Sequence, residues 1–580
     1  MNFIYILSLI LLIISFLLLK KSNNKLSIIC SIIYSICLLF FYQVVIFYFL
    51  GFFNSLIYYS IINLIISIIV LFIIFKKKKI QKYYFNKKEL VLFLVVILSS
   101  FLVTWIRFRG FSVIIYTSDD SSIHYRSSLI FSKYLTLFSR NDYKDLIYNF
   151  SNIMPANYIN GGLFLKLVNN IPSYKAYMIY DSICYILYSL LFLVIVLKLF
   201  NKKEYLYYYV ITMLYMLSFP LNCLVFGFGY LGLGVMCIQL LCYTIISMNN
   251  NYDNGIILKI ILLFMLSFSL FFSYYLFVPP IYLSLFIYYI WLYKNKKLDY
   301  KNMLLYIFIT LIIPFIIGFM YFVFPTLFKS DSVLKAIGNW GVIYDNLTPI
   351  FLFNFLCFYL ALKGSKYKKR INYFLLCFYF FTVYIIIFLF LYIFKISELY
   401  YFYKLFYIYC FFVVIYLFYY VVKKKGFVYF IFSGVVFSMI FVYLFPDNGV
   451  SVLLGRISIF PFNSIESTSG WIRYDTYELE IVDKALEYKN ICQYNNSIFV
   501  IGENGKKAWF YSIVGSVPNI NYKKNDHKQI YDSSASFYNW LLLDDNRCVV
   551  YFYKNGVLVY DNDKYNTLFL NDKGVILMKK

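Results

Sequence analysis

The chain has 580 residues, of which 62% are hydrophobic, 23% aromatic and only 14% charged, and it carries a formal charge of +26. Apolar runs of about 20 residues recur along most of its length, more surface than one water-soluble core can hide, which excludes a soluble globular protein. The lysines sit in short clusters between those runs, where they read as topology signals and argue against a nucleic-acid partner.

Runs such as Ile61 to Phe75 lack the alternation of barrel strands, so the spans are expected to be helical. The first run, Asn2 to Leu19, is followed by Lys20, Lys21 and Lys25 and has no small-residue cleavage site, which makes it a span rather than a cleaved signal. Placing that cluster in the cytoplasm puts the N-terminus outside. Residues 26–50 then go out, 55–75 return to Lys76 to Lys79, and 89–106 go out again. A long polar region, 107–173, is external, and 174–197 return to Lys198, Lys202 and Lys203. Residues 205–222 and 229–248 form a pair joined by an external Gly227-Phe228-Gly229 turn. Residues 256–276 and 281–293 form another, broken outside at Pro279-Pro280. The run 303–324 leads to a second external loop, 325–346, and 347–362 returns to Lys363 to Arg370. Residues 371–394 go out to the short loop Lys395 to Tyr401, 403–422 return to Lys423, and 427–445 make the last crossing. This predicts about fourteen spans with every large basic cluster on one side.

After Pro446 the composition changes, and residues 446–580 suffice for one small domain, which the alternation places outside. Asp475 to Tyr488 and Lys506 to Ser512 read as helices, and Ser497 to Gly502 and Cys548 to Tyr553 as strands. Of the eleven cysteines, nine lie in or beside apolar spans as small core residues; Cys492 and Cys548 lie in the polar region, where they are candidates for a disulfide. The expected organisation is a mainly α, polytopic helical membrane protein with an extracytoplasmic C-terminal α/β domain. Its parts are N-terminal spans at 1–106, an external loop at 107–173, a helical bundle at 174–445 and the soluble domain at 446–580.

The polar stretch Tyr116 to Arg126 is the first acid-bearing sequence after the opening spans, and it holds one of only two histidines. Thr117 or Ser118 can cap a helix whose first turn carries Asp119 and Asp120, which puts Asp120 and His124 at i and i+4 on one face. Ile123, Leu129, Ile130, Tyr134 and Leu137 supply a face that can lie along a membrane surface. Acids at a helix N-terminus are also favoured by its dipole alone, and a structural role fits His124 equally well. Lys404 follows Tyr400 and Tyr401 at an outer helix end, where snorkelling within an aromatic belt is the default role. A cation at that depth also suits a lipid-linked phosphate, and Arg107 and Arg109 invite the same argument. Pro155 to Gly162 reads as a turn-rich loop that can line a site. No Gly-rich phosphate loop, Gly-x-Ser-x-Gly, His-Glu-x-x-His or Cys/His zinc spacing is present.

With Ser118-Asp119-Asp120-Ser121-Ser122-Ile123-His124 in a first large external loop, an amphipathic helix after it, a late Tyr400-Tyr401-Phe402-Tyr403-Lys404 and an external C-terminal domain, the chain resembles the GT-C superfamily of integral-membrane glycosyltransferases. It departs from the usual pattern in placing three spans before the one that leads into the acidic loop. The resemblance implies a polyprenyl-phosphate-linked sugar donor, an external glycan or lipid acceptor, and a site in the cell membrane among its lipids. Asp119 or Asp120 would be the general base, and His124 an orienting or metal-linked partner. Lys404 or Arg109 would contact the phosphate, with Arg107, Arg126, Glu398 and Tyr401 as further substrate-binding residues. No cofactor is certain; the paired Asp119 and Asp120 would also suit a divalent metal such as Mg or Mn. Trp471, Trp509 and Trp540 offer rings for sugar stacking, though core packing is the commoner role.

Two other classes compete. An oligosaccharide flippase or repeat-unit polymerase would also work at this membrane, but transporters place functional charges inside spans and often show repeats. Here the spans are nearly free of acids, Asp181 being the main exception, and no repeat is visible. A structural membrane protein displaying the C-terminal domain would leave residues 116–126 without a catalytic task.

Overall fold

The computed structural model describes residues 2–18, 26–51, 55–77, 81–116, 120–137, 154–200, 205–217, 219–248, 256–322, 359–366, 373–396, 399–423, 472–492, 498–501, 509–510, 512–514, 548–552 and 563–580. In chain order the opening elements are α1 (Asn2–Leu18), β1 (Leu26–Ser27), α2 (Ile28–Leu50), α3 (Leu56–Lys77), β2 (Tyr83–Tyr84), α4 (Lys87–Arg107) and β3 (Ile114–Tyr116). They are followed by α5 (Asp120–Tyr134), α6 (Ala156–Leu167), α7 (Ser173–Leu199), α8 (Tyr205–Leu217), α9 (Phe219–Phe226) and α10 (Gly229–Met248). The bundle continues with α11 (Ile256–Tyr274), α12 (Val278–Lys294), α13 (Tyr300–Ile307), α14 (Ile313–Phe322), α15 (Tyr373–Ile393) and α16 (Leu399–Lys423). The remaining elements are β4 (Ile472–Tyr474), α17 (Thr476–Glu487), α18 (Lys489–Cys492), β5 (Ile498–Ile501), β6 (Cys548–Phe552), β7 (Tyr565–Asn571) and β8 (Gly574–Lys579).

Eight helical stretches among the described residues, with Ile256–Lys294 taken as one, are long and apolar enough to cross a membrane. The chain is a helical, polytopic membrane protein. The stretch Ile256–Lys294 is itself two helices: the backbone is extended at Tyr274 (φ −163°, ψ 104°), and beyond that break Tyr282 Oη donates to the Ser267 carbonyl at 2.9 Å. Between α13 and α14 the ladder widens to a π turn at Phe308–Ile312, where Pro314 supplies no N–H for the carbonyl of Thr310. The expected loop at 325–346, the span at 427–445 and most of the span at 347–362 lie outside the described residues.

The helices differ in what surrounds them. On α3, Ile65, Ile68 and Phe72 are exposed, an apolar stripe suited to lipid, whereas α7 and α10 are almost wholly enclosed. Lipid removes the hydrophobic drive for helix association, so polar contacts and close packing hold such a bundle. Tyr34 and Thr244 share a hydrogen bond of 2.7 Å, Tyr42 donates to Asn63 Oδ1 at 2.8 Å, and Gln239 Nε2 donates to Tyr215 Oη at 3.0 Å. Phe192 stacks on Tyr215 with centroids 4.0 Å apart.

The C-terminal residues mix helix and sheet. Strand order is β5-β6-β8-β7, with β5 parallel to β6 and the other pairs antiparallel. Helix α17 starts with a capping box, Asp475 accepting from the Glu478 amide and the Glu478 side chain accepting from the Asp475 amide. Its Leu479, Ile481, Val482 and Ala485 face inward, and the helix lies against β7 and β8. Cys492 and Cys548 form a disulfide joining α18 to β6. The β7–β8 hairpin escaped the pattern reading, although Asn571 Oδ1 accepts from the amides of Lys573 and Gly574 in a polar turn of the type that ends strands.

Candidate functional site

The acidic stretch is set in place by the reversal before it. Helix α4 ends at Arg107, and Arg109, Gly110 and Phe111 then take left-handed backbone angles (φ 46°, 70° and 63°), turning the chain into β3. Strand β3 pairs antiparallel with β4, matching Ile114 to Tyr474 and Tyr116 to Ile472. Helix α5 then begins at Asp120.

Helix α5 buries small polar residues, not only its apolar ones. Ser121, Ser122, Tyr125, Ser128 and Phe131 are buried, while Ile123 is exposed and Leu129, Ile130 and Tyr134 are half-buried. The cause is close packing on α6. A Cβ on Gly161 would stand 2.7 Å from Ser128 Oγ, and one on Gly162 would stand 2.6 Å from the Ser128 carbonyl oxygen. The stretch Pro155 to Gly162, expected to be a loop, is therefore the start of a buried helix. Its asparagines and glycines are poor helix formers, but tight helix contact outweighs their intrinsic preference.

His124 faces inward from α5. Its Nδ1 lies 2.9 Å from Tyr158 Oη on α6, and its ring centroid is 4.9 Å from that of Tyr230 at the start of α10. On the same tyrosine, Lys404 Nζ donates to Tyr230 Oη at 2.6 Å. Lys404 is only 4% exposed, so it does not snorkel outward as its place in the sequence suggested. The cation sits 5.0 Å from the Phe228 centroid, 5.1 Å from Tyr230 and 5.8 Å from Tyr274. Three ring faces within about 6 Å offset part of the cost of burying the charge.

The turn Gly227-Phe228-Gly229, read from the sequence only as a connection between two spans, lines the site. Gly227 has φ +71°, and a Cβ there would meet Ser121 Cβ at 2.4 Å. A Cβ on Gly229 would stand 2.7 Å from Asn157 Oδ1, which itself accepts from Tyr180 Oη at 3.1 Å. The turn fits between α5 and α6 and carries Phe228 to Lys404. Its signal was present as two glycines flanking an aromatic, which permit close backbone approach.

A second polar group lies beside the first. Tyr116 Oη donates to Asp181 Oδ2 at 2.8 Å, with Arg107 acting electrostatically on the phenol. Burial, and next the Asp181 carboxylate, push the Tyr116 phenol well above its usual range, so it stays a donor. Cys223 lies within electrostatic reach of both Lys404 and Asp181. The end of α4, the starts of α7, α10 and α16 and the end of α11 thus converge at one end of the bundle.

Of the anticipated site residues, His124 and Lys404 are brought together through Tyr230. Arg107 and Arg126 are half-buried, as is Tyr401 in the first turn of α16, and Arg109 is exposed. Asp119, Glu398 and the side chain of Asp120 lie outside the described residues, as do Trp471 and Trp540. Among the described residues no group of three His, Cys, Asp or Glu side chains could hold a metal. Trp509 is fully buried and stacked between Tyr116 and Tyr125, so its faces are not offered to a sugar.

No family model, no curated protein and no solved structure matches this chain.

Proposed function

We propose that the protein is a membrane glycosyltransferase of the GT-C type, moving a sugar from a polyprenyl-phosphate-linked donor to an extracytoplasmic glycan or lipid acceptor. The observation that carries this reading is the meeting of Lys404 and His124 on Tyr230, from opposite halves of the chain, at the end of the bundle where α5 begins. Such a transfer needs a base for the acceptor hydroxyl and a fixed positive charge where the leaving phosphate develops its own.

In this scheme Asp119 or Asp120 accepts the proton of the acceptor hydroxyl as its oxygen bonds to the sugar C1. The C1–O bond to the phosphate breaks, and the electron pair leaves with the phosphate. Lys404 meets that charge, with Arg107 or Arg109 as a second contact. The contact between His124 Nδ1 and Tyr158 fixes the imidazole for its role as an orienting or metal-linked partner. The site belongs to the external face of the cell membrane, with about fourteen spans and residues 446–580 outside. A divalent ion at Asp119 and Asp120 remains compatible with this scheme and is tested by chelation.

Full-length protein in nanodiscs, supplied with an undecaprenyl-phosphate-linked hexose and a glycan acceptor, tests the reading. Asp119→Asn with Asp120→Asn and Lys404→Met should each lower transfer by about 100-fold or more. Equal transfer in wild type and variants overturns the assignment.

A flippase or polymerase is the second reading, and the buried Asp181 favours it, because carboxylates within spans often mark transport paths. Asp181→Asn that blocks lipid-linked oligosaccharide export, with sugar transfer intact, would select that reading.

A further inference from the structure

The C-terminal residues reach into the acidic end of the bundle. Trp509 donates its indole N–H to Ser121 Oγ at 3.0 Å. Its ring stacks on Tyr116 with centroids 5.3 Å apart and an interplanar angle of 9°, and on Tyr125 at 5.2 Å and 18°. Tyr116 closes β3, whereas Ser121 and Tyr125 belong to the opening turns of α5. One indole therefore joins the end of β3 to the opening turns of α5, between whose Ser121 and Tyr125 lies His124.

Two independent contacts repeat the arrangement. Strand β4 pairs with β3 across its three residues, and Tyr174 Oη at the start of α7 lies 3.1 Å from Asp483 Oδ1 on α17. Trp509 also falls between Cys492 and Cys548 in the chain, so the disulfide fastens both ends of the segment that delivers it.

We propose that Trp509 is a positioning residue and that the C-terminal region acts as a clamp, fastening the end of β3 to the first turns of α5 and so holding His124 against Tyr230, the residue to which Lys404 donates. The catalytic consequence rests on the glycosyl-transfer reading; the clamp itself does not. Stacking removes two flanking tyrosines from the rotamers they would otherwise sample, and the indole hydrogen bond fixes the first turn of α5. The indole adds to bonds that the bundle makes to the same elements, from Tyr116 to Asp181 and between Tyr125 and Ser173.

Hydrogen–deuterium exchange on the full chain in nanodiscs tests the clamp without any substrate. Trp509→Ala should speed exchange in peptides covering 114–125 by about tenfold, and Trp509→Phe, which keeps the stack, by about fivefold through the lost hydrogen bond. Peptides from α7 and α10 should be unchanged. Unaltered exchange at 114–125 in Trp509→Ala, or an equal rise in α7 and α10, overturns the proposal. With undecaprenyl-phosphate hexose as probe, Trp509→Ala should lower kcat and leave donor KM unchanged, with Trp509→Phe recovering most of the rate. A raised KM at unchanged kcat also overturns it. A local rise in exchange when the wild type itself transfers nothing upholds the clamp and counts against glycosyl transfer alone.

Discussion

Lys404 and Tyr230 share a hydrogen bond of 2.6 Å inside an aromatic cage, although one opens α16 and the other opens α10. A buried cation held this way has its position fixed before any ligand arrives, which is what an anion that develops during reaction requires. Lys404→Met should leave the bundle folded, since an apolar side chain of similar length often replaces a buried charge at little cost. It should nonetheless lower transfer by about 100-fold or more. Tyr230→Phe keeps the cage and loses one hydrogen bond, so transfer should fall by about tenfold. Donor-dependent turnover of both variants, beside their thermal melts in detergent, checks the pair.

Gly227 has no room for a side chain. Gly227→Ala would push a methyl group to 2.4 Å from Ser121 Cβ at a backbone angle of φ +71°. We expect a loss of about 2 kcal/mol or more and a displaced start of α5. The melting temperature and exchange at 120–125 report both effects. Gly229→Ala has backbone freedom but meets Asn157 Oδ1 at 2.7 Å. Asn157 can swing aside only by giving up its bond from Tyr180, so the cost should be smaller.

Tyr116→Phe removes the phenol that donates to Asp181. The buried carboxylate then loses a partner, at a cost of about 1–3 kcal/mol. Asp181→Asn keeps an oxygen that accepts from Tyr116 and should be the milder change. Comparison of the two melts checks the hydrogen bond. Under the enzyme reading Asp181→Asn retains most of the transfer rate.

The disulfide between Cys492 and Cys548 closes a loop with a sequence separation of 56. Replacing both cysteines with serine should destabilise the C-terminal residues by about 4 kcal/mol in the chain-entropy account. The same bond bears on topology, because disulfides persist in oxidising surroundings. Because both sulfurs are buried, the label goes to a cysteine placed at the exposed Lys573 (Lys573→Cys), which a membrane-impermeant maleimide should reach on intact cells if the region lies outside. Labelling only after lysis would place it inside and reverse the orientation.

Much of the helical plan was legible because a bilayer demands long apolar runs, and the lysine clusters mark where they stop. Ser173–Leu199 and Tyr373–Ile393 fall within a few residues of the expected spans. Helix α17 was legible from the helical pattern of Asp475 to Tyr488, and the capping box of Asp475 and Glu478 fixes where it starts. What stayed hidden was non-local. Pro155 to Gly162 reads as a loop because proline, glycine and asparagine disfavour helix, and the close approach of Ser128 to Gly161 and Gly162 shows what tight packing the helix there makes. Lys404 reads as a snorkelling residue because its cage comes from Phe228, Tyr230 and Tyr274, more than 100 residues away in the chain. Trp509 reads as a core aromatic, and it is buried, but what it packs against is a matter of its two distant tyrosine neighbours.

The central claim is that the segment bearing Asp119 and Asp120 works with His124 and Lys404 in sugar transfer. Mass analysis of surface glycan and extracted lipids from cells carrying Asp119→Asn with Asp120→Asn tests it most directly. The account predicts a glycan lacking one sugar residue, with the polyprenyl-phosphate sugar accumulating and the protein inserted at normal levels. An unchanged glycan in that double variant would contradict it.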